Sequence, residues 1–280
     1  MENIYDNLGR LWKQSRPYRE GVDAKQWTEF EYDSLDRPFK VRTPDQSMAQ
    51  SFYNEVSSPS AATSNTGQTM RSRDAWGRER WVRFDEQNRL VEVVEPDPSG
   101  DGSVASGGMS TQYSYDTLGN LIQVNQGGQI RRFRYDSLGR LTHQKLAERD
   151  ATLDDGGNWV GAGTWSDVFH YDNRSNLIWK KDARGVITQF EYNNDPLNRL
   201  QYVRYIQNQM PPELQGTVLE ASDIGYEYMT SAPGDKMRVK TVNVLTGTDG
   251  LGSQQISYDI EGRVSEVRET SRGGNFLYTN

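Results

Sequence analysis

The sequence predicts an all-β fold: antiparallel β-hairpin repeats forming a long, curved, spiralling sheet. Three observations predict it. An aromatic-x-aromatic step followed by turn residues recurs along the whole chain. A turn falls about every ten residues, which leaves strands of about five or six, the usual strand length. Sustained helical periodicity is missing.

The clearest copy of the unit is Arg131-Arg132-Phe133-Arg134-Tyr135-Asp136-Ser137-Leu138-Gly139-Arg140-Leu141. Phe133 and Tyr135 are two apart, so in a strand they share a face. Asp136 can bond nearby backbone amides, and Gly139 can take a positive φ. Leu141 then opens a second alternating run. The stretch reads as strand, tight turn, strand.

Other copies align on the aromatic step: Phe30/Tyr32, Val82/Phe84, Tyr113/Tyr115, Phe169/Tyr171, Phe190/Tyr192, Tyr226/Tyr228 and Ile256/Tyr258. Asp follows at Asp33, Asp85, Asp116, Asp136, Asp172 and Asp259, and Tyr5-Asp6 adds a copy at the N-terminus. Gly precedes Arg at Gly9-Arg10, Gly139-Arg140 and Gly262-Arg263, and Asn at Gly119-Asn120. The copy at Tyr228 lacks the Asp and the Gly-Arg, and Arg199-Leu200 follows a longer turn from Asn193 to Asn198. The shortest spacings, Tyr115 to Tyr135 and Tyr171 to Tyr192, are twenty and twenty-one residues. Fixed periods of this size signal repeat architectures.

Strands are therefore expected near 27–32, 38–43, 79–84, 89–95, 110–115, 121–125, 129–135, 141–146, 164–171, 177–181, 186–192, 200–206, 224–230, 236–244, 254–258 and 263–269. The expected organisation is one β-strip over 1–280 with irregular insertions near 44–70, 147–163 and 207–223. The first insertion reads as a polar loop with a short helical turn around Met48 to Tyr53, and the third could hold a short helix.

Composition bounds the function. Only 34% of the 280 residues are hydrophobic, little for two packed layers, yet 11% are aromatic, which argues against disorder. The formal charge of −7, with signs interspersed, gives no support for a nucleic-acid partner. The absence of cysteine excludes disulfides, thiolate metal sites and Cys nucleophiles. No apolar run approaches the ~20 residues of a membrane-spanning helix. No signal peptide is read at Met1 to Tyr5.

Tyr-Asp-x-x-Gly-Arg-Leu at a period near twenty resembles the YD repeat of the Rhs (rearrangement hotspot) family. That repeat also occurs in the C component of bacterial Tc toxins, in wall-associated bacterial proteins and in teneurins. The best copies are Tyr5 to Leu11, Tyr115 to Leu121 and Tyr135 to Leu141. The resemblance implies a strip of hairpins coiling into a hollow β-shell that encloses a toxin-like polypeptide. It implies a secreted or cell-surface setting as part of a larger protein. Partners would be further repeats, a cargo or toxin domain, or another chain at an open sheet edge. Asp97-Pro98-Ser99-Gly100 has the letters of the segment that closes the family's shells, but it sits mid-chain between repeats and reads as a plain turn.

Candidate chemistry is sparse. The repeat Asp, recurring with the turn and not with a second carboxylate, reads as an Asx-type turn acceptor. The repeat Arg reads as its ion-pair or turn-backbone partner. The aromatic step and the seven Trp residues read as core or cross-strand ladder. Carbohydrate stacking is the alternative, and with it a cell-surface module recognising carbohydrate or protein. Asp97 to Gly108 lacks the last ligand of a calcium loop. His143 and His170 each lie in a strand with no metal-ligand spacing around them. No cofactor, metal or catalytic residue is expected. Any functional residues are expected in the insertions.

Overall fold

The computed structural model describes residues 1–55, 57–193, 195–207, 223–229, 238–245, 252–271 and 274–279, and no α-helix occurs among them. The chain divides into two compact units, Met1–Arg131 and Arg132–Asn280. The first contains β1 (Asn3–Tyr5), β2 (Leu11–Ser15), β3 (Trp27–Tyr32), β4 (Pro38–Arg42), β5 (Met48–Tyr53), β6 (Gln68–Arg73), β7 (Glu79–Phe84), β8 (Leu90–Glu95), β9 (Met109–Tyr115) and β10 (Leu121–Gln126). Strand β11 (Gln129–Tyr135) spans the division. The second unit continues with β12 (Leu141–Lys145), β13 (Asp167–Tyr171), β14 (Leu177–Asp182), β15 (Val186–Glu191), β16 (Tyr202–Gln207) and β17 (Asp223–Tyr228). It ends with β18 (Val239–Leu245), β19 (Gly252–Tyr258), β20 (Val264–Ser271) and β21 (Gly274–Thr279).

In the first unit each strand pairs antiparallel with the next, from β1 through β10. In the second the same holds from β11 through β21. Each unit is thus a meander, the topology that hairpin-length turns allow. The alternation within β11 shows why the sequence extends here: Phe133 and Tyr135 are half-buried, while Arg132 and Arg134 are exposed.

Apolar cores form where the longer connections fold over a sheet face. In the first unit, Trp81 and Val94 pack with Val104 from the β8–β9 connection, and Ala61 and Ala62 from the β5–β6 connection close over them. In the second, Leu153 and Trp165 of the β12–β13 connection pack on Val168, flanked by Trp159 and Trp179. The expected insertion at 147–163 is therefore not a bare loop. Leu153 bridges both Trp159 and Trp165, and the segment carries its unit's core.

Two expectations need correcting. Met48–Tyr53 is strand β5 and not a helical turn, and β6 begins at Gln68, so the segment outside strands shrinks to 54–67. The turn Thr43-Pro44-Asp45-Gln46-Ser47 closes like the repeat turns, with Thr43 N–H on the Ser47 carbonyl at 3.0 Å, but without the Asp-Gly letters. Pairing of β5 to β4 on one side and β6 on the other then decides its conformation. Strands β1, β2 and β21 also lay outside the expected set. Of the expected insertion at 207–223, Gln207 ends β16 and Asp223 begins β17, and 208–222 lie outside the described residues.

Candidate functional site

The feature that recurs through both units is the hairpin turn, and Asp136 to Arg140 shows how it is built. The Asp136 amide donates to the Arg140 carbonyl at 3.0 Å, and the Gly139 amide to the Asp136 carbonyl at 3.0 Å. Asp136 Oδ1 accepts the Leu138 and Arg140 amides at 2.9 and 3.0 Å, and Oδ2 accepts Arg140 Nε at 2.7 Å. Gly139 has φ +75°, a left-handed position. Asp36, Asn88, Ser175 and Asn198 take the same place with φ between +57° and +67°. Short polar residues are the ones that tolerate that region when Gly is not there. Beyond the turn the register slips by one residue, because Tyr135 pairs with Leu141 while Arg134 pairs with His143. The same bulge recurs beside Tyr5, Tyr32, Phe84, Tyr171, Tyr228 and Tyr258.

The carboxylate bonds repeat at Asp6/Arg10, Asp33/Arg37 and Asp85/Arg89 in the first unit, and at Asp259/Arg263 in the second. Gly9, Gly119 and Gly262 hold the left-handed position in their turns. Asn replaces Arg opposite Asp116 and Asp172, with the amide nitrogens of Asn120 and Asn176 on the Asp Oδ2 atoms at 2.9 and 2.7 Å. Partial burial pushes the Asp136 carboxyl up, but the Arg140 and Leu138 amides and the Arg140 guanidinium outweigh it and hold it below the usual carboxylate range.

The turns are joined to one another by the tyrosine. Tyr171 Oη donates to the Leu141 carbonyl at 2.9 Å, and the Arg140 guanidinium lies over the Tyr171 ring at 4.8 Å. Arg140 Nη1 also donates to the Asp172 carbonyl at 3.1 Å, so one side chain holds its own turn and the next. The same clasp joins Tyr32 to Leu11 under Arg10, Tyr53 to Pro38 under Arg37, and Tyr115 to Leu90 under Arg89. In the second unit it joins Tyr228 to Leu200 under Arg199 and Tyr258 to Val239 under Arg238. Burial pushes the Tyr115, Tyr171 and Tyr228 hydroxyls up, which keeps them protonated donors. Phe84 has no hydroxyl to donate, and Tyr5 is largely exposed. At Asn176 the stack is replaced. Tyr192 Oη reaches the Leu177 carbonyl only at 3.5 Å, and Asn176 instead exchanges amide bonds with Asn198 at 2.7 and 2.6 Å.

Sequence reasoning missed several members. Tyr53 was hidden in the expected loop at 44–70. Asp195, two residues late after Tyr192, plays the turn Asp toward Arg199 and is held down to about 2, chiefly by the Arg199 guanidinium and then by its amide. Asp154 closes the same turn with Asn158 inside the 147–163 insertion. The D-x-x-x-N and D-x-x-x-R spacings were the available signals.

Buried polar groups lie under the connections. Glu92, fully buried in β8, accepts the Thr63 amide and hydroxyl at 2.9 and 2.8 Å, the Ser110 hydroxyl at 2.7 Å and Arg83 at 3.1 Å. Burial pushes its carboxyl up, but these donors outweigh it and leave it below the usual range. His143 has Nε2 3.0 Å from the Asp155 carbonyl and Nδ1 2.9 Å from Thr142 Oγ1, with Trp165 beside its ring. His170 stacks on Trp179 at 4.2 Å. Asp97 accepts the Ser99 and Gly100 amides, so Asp97 to Gly100 is a plain turn. Among the described residues no His, Asp and Glu cluster has the makings of a metal site.

The RHS Repeat family profile matches residues 115–151, from the end of β9 through the β11–β12 hairpin and into the following connection. The chain contains an RHS repeat. No curated protein matches the chain in sequence. Among solved structures, TcdB2-TccC3 without its hypervariable C-terminal region is similar at a TM-score of 0.49 and 14% identity, over 98% of this chain and 16% of that one. The Photorhabdus luminescens Tc holotoxin pore gives 0.39 and 13%, over 99% and 19%. A porin-like protein from Bacteroides uniformis gives 0.32 and 10%, over 78% and 91%. The chain therefore spans under a fifth of the toxin chains it resembles.

Proposed function

We propose that this chain is a non-enzymatic structural module, a strip of RHS repeats forming part of a hollow β-shell. The shell would enclose or present an associated, toxin-like polypeptide, outside the cell or on its surface, within a larger protein. The observation that carries the reading is the clasp between consecutive hairpins. The residues that recur with each hairpin turn, Tyr, Asp and Arg, bond to one another and to backbone, hairpin after hairpin. A turn carboxylate such as Asp136 has both oxygens taken up by its own turn, which suits a joint and not a proton carrier.

The test is the shape and mass of the whole protein by small-angle scattering. A hollow or open curved particle is expected, and a solid two-layer globule overturns the reading. The cargo is tested by co-expressing the polypeptide encoded next to this chain: it should co-purify and resist protease until the repeat protein is unfolded. Hydrolase activity that disappears in Asp136→Asn while the fold persists would refute the non-enzymatic role.

A further inference from the structure

Going beyond the structural role, we propose that the second unit holds a binding site for the arginine side chain of a partner polypeptide. The site lies where the clasp is incomplete, between the turn at 172–176 and Tyr192. A cavity of about 350 Å³ stands there, and Asp172, Arg174, Ile178, Phe190, Tyr192 and Asn198 help to line it. Asp172, Ile178, Phe190 and Tyr192 are only half-buried, so a group entering the cavity can touch them.

Two observations name the ligand. The first is the aromatic ring. The six tyrosines of the complete clasps, Tyr32, Tyr53, Tyr115, Tyr171, Tyr228 and Tyr258, each carry a guanidinium 4.1–5.4 Å from the ring centre. Among the described residues no cation covers Tyr192, because Asn176 stands where Arg140 stands one hairpin earlier. The second is the charge. Asp6, Asp33, Asp85 and Asp136 each hold an arginine Nε on Oδ2. Asp172 meets neutral donors instead: the Arg174 and Asn176 amides on Oδ1, each at 2.8 Å, and Asn176 Nδ2 on Oδ2 at 2.7 Å. An uncovered aromatic ring beside a carboxylate that no guanidinium holds attracts a cation. Ile178 and Phe190 narrow the choice to arginine. Their apolar surface receives a methylene stem, while a planar head lies on the Tyr192 ring in a way that a compact ammonium does not. Arg174 is the opposing charge in the cavity and acts on Asp172 through space. The turn arginines of this chain are already bound within their own turns, so the side chain comes from another polypeptide.

The test is a titration of the full chain, ¹³C-labelled at the tyrosine rings, with N-acetyl-arginine methylamide. The matching citrulline and lysine amides are the controls, one with the shape but no charge and the other with the charge but no plane. A saturable shift of the Tyr192 ring signal is expected with the arginine amide, a response severalfold weaker with lysine, and none with citrulline. Tyr171, whose ring Arg140 already covers, should not move. Tyr192→Phe assigns the resonance. Asn176→Arg supplies the guanidinium from within the chain and should abolish binding while the melting curve holds. Arg174→Gln should strengthen binding severalfold. If Tyr192→Phe fails to fold, Asn176→Arg both assigns the signal and decides the outcome. No Tyr192 shift, an equal response to lysine or citrulline, or undiminished binding by Asn176→Arg would each overturn the proposal. Self-association of the chain that Asn176→Arg abolishes would give the site to a second copy and overturn the assignment to another polypeptide. The shell role stands or falls separately, on the scattering measurement.

Discussion

Arg140 and Asn176 occupy the same place in successive hairpin turns of the second unit, yet they join those turns to the next hairpin differently. Arg140 bonds its own Asp136, covers the Tyr171 ring and reaches the Asp172 carbonyl, and the Tyr171 hydroxyl closes on Leu141 at 2.9 Å. Asn176 bonds its own Asp172 equally well, at 2.7 Å. It is too short to cover Tyr192, however, and the Tyr192 hydroxyl sits 3.5 Å from Leu177. The turn and the link between turns are thus separable. The Asp makes the turn with either partner, whereas the link changes: Arg140 covers the next tyrosine and reaches the next turn's carbonyl, and Asn176 reaches the next turn only through the Asn198 amide.

The largest expected effect comes from removing the tyrosines. Tyr171→Ala removes a cation–π contact, a hydrogen bond and a half-buried ring, and should cost about 3 kcal/mol. Tyr192→Ala lacks the first contact and has a weak second, so it should cost about 1 kcal/mol less. Urea unfolding of both variants measures the difference. Equal losses would mean that the rings act only as packing and that Arg140 contributes nothing to the link.

An exchange of the two side chains sharpens the comparison. Arg140→Asn keeps the turn bond and removes the stack and the bond to the Asp172 carbonyl, so a loss of about 1–2 kcal/mol is expected. Asn176→Arg should gain up to about 0.5–1 kcal/mol if the new guanidinium settles over Tyr192. The gain is the smaller because the Asn176–Asn198 amide pair is given up. Amide hydrogen exchange in β13–β14 and β15–β16 reads each link locally, which suits a repeat chain whose unfolding need not be two-state. Faster exchange in β15–β16 of Asn176→Arg would contradict the account.

Which parts of this were legible follows from where the information sits. The turn was readable because all its bonds lie within five residues, and Asp, Gly and Arg are each needed for a local reason. The clasp was not, because Tyr171 and Leu141 are 30 residues apart and Tyr115 and Leu90 are 25 apart. Nothing in the spelling says that the tyrosine of one hairpin answers the carbonyl of the previous one. Strand β5 was lost because its leading turn uses Thr43, Asp45 and Gln46 with no glycine, although Gln46 takes φ +67°. Asp195 was lost because two extra residues follow Tyr192. Glu92 was unreadable for a different reason. Its donors Thr63 and Ser110 come from a connection and a strand 29 and 18 residues away, and only the fold brings them to it.

Acid should separate the Arg140 link from the Asn176 link by charge. Both Asp136 and Asp172 titrate below the usual carboxylate range, since amide donors and the Arg140 or Asn176 side chain outweigh the burial that pushes them up. A depressed folded pKa means stability that is full above the unfolded value of about 3.9 and is lost as pH falls through the folded one. Between pH 7 and about 5 both hairpins should therefore hold. The connection at 146–166 should already loosen there, because burial pushes His143 down, so the stability lent by its neutral form declines as pH falls from the unfolded value of about 6.5 through its lower folded one. Arg134, Asp155 and His170 are the charged or titrating neighbours that face it, and of these Arg134 and His170 also disfavour its protonation. Below about pH 4 the hairpins should part company. Protonating Asp136 breaks an ion pair and leaves Arg140 without its carboxylate, whereas protonating Asp172 only weakens bonds to neutral donors. Exchange protection in β11–β12 should fall further than in β13–β14 over that range, and Asp195, held down to about 2, should keep its turn longest. Parallel loss in all three hairpins would show that the cation adds nothing to the turn beyond what the amides supply.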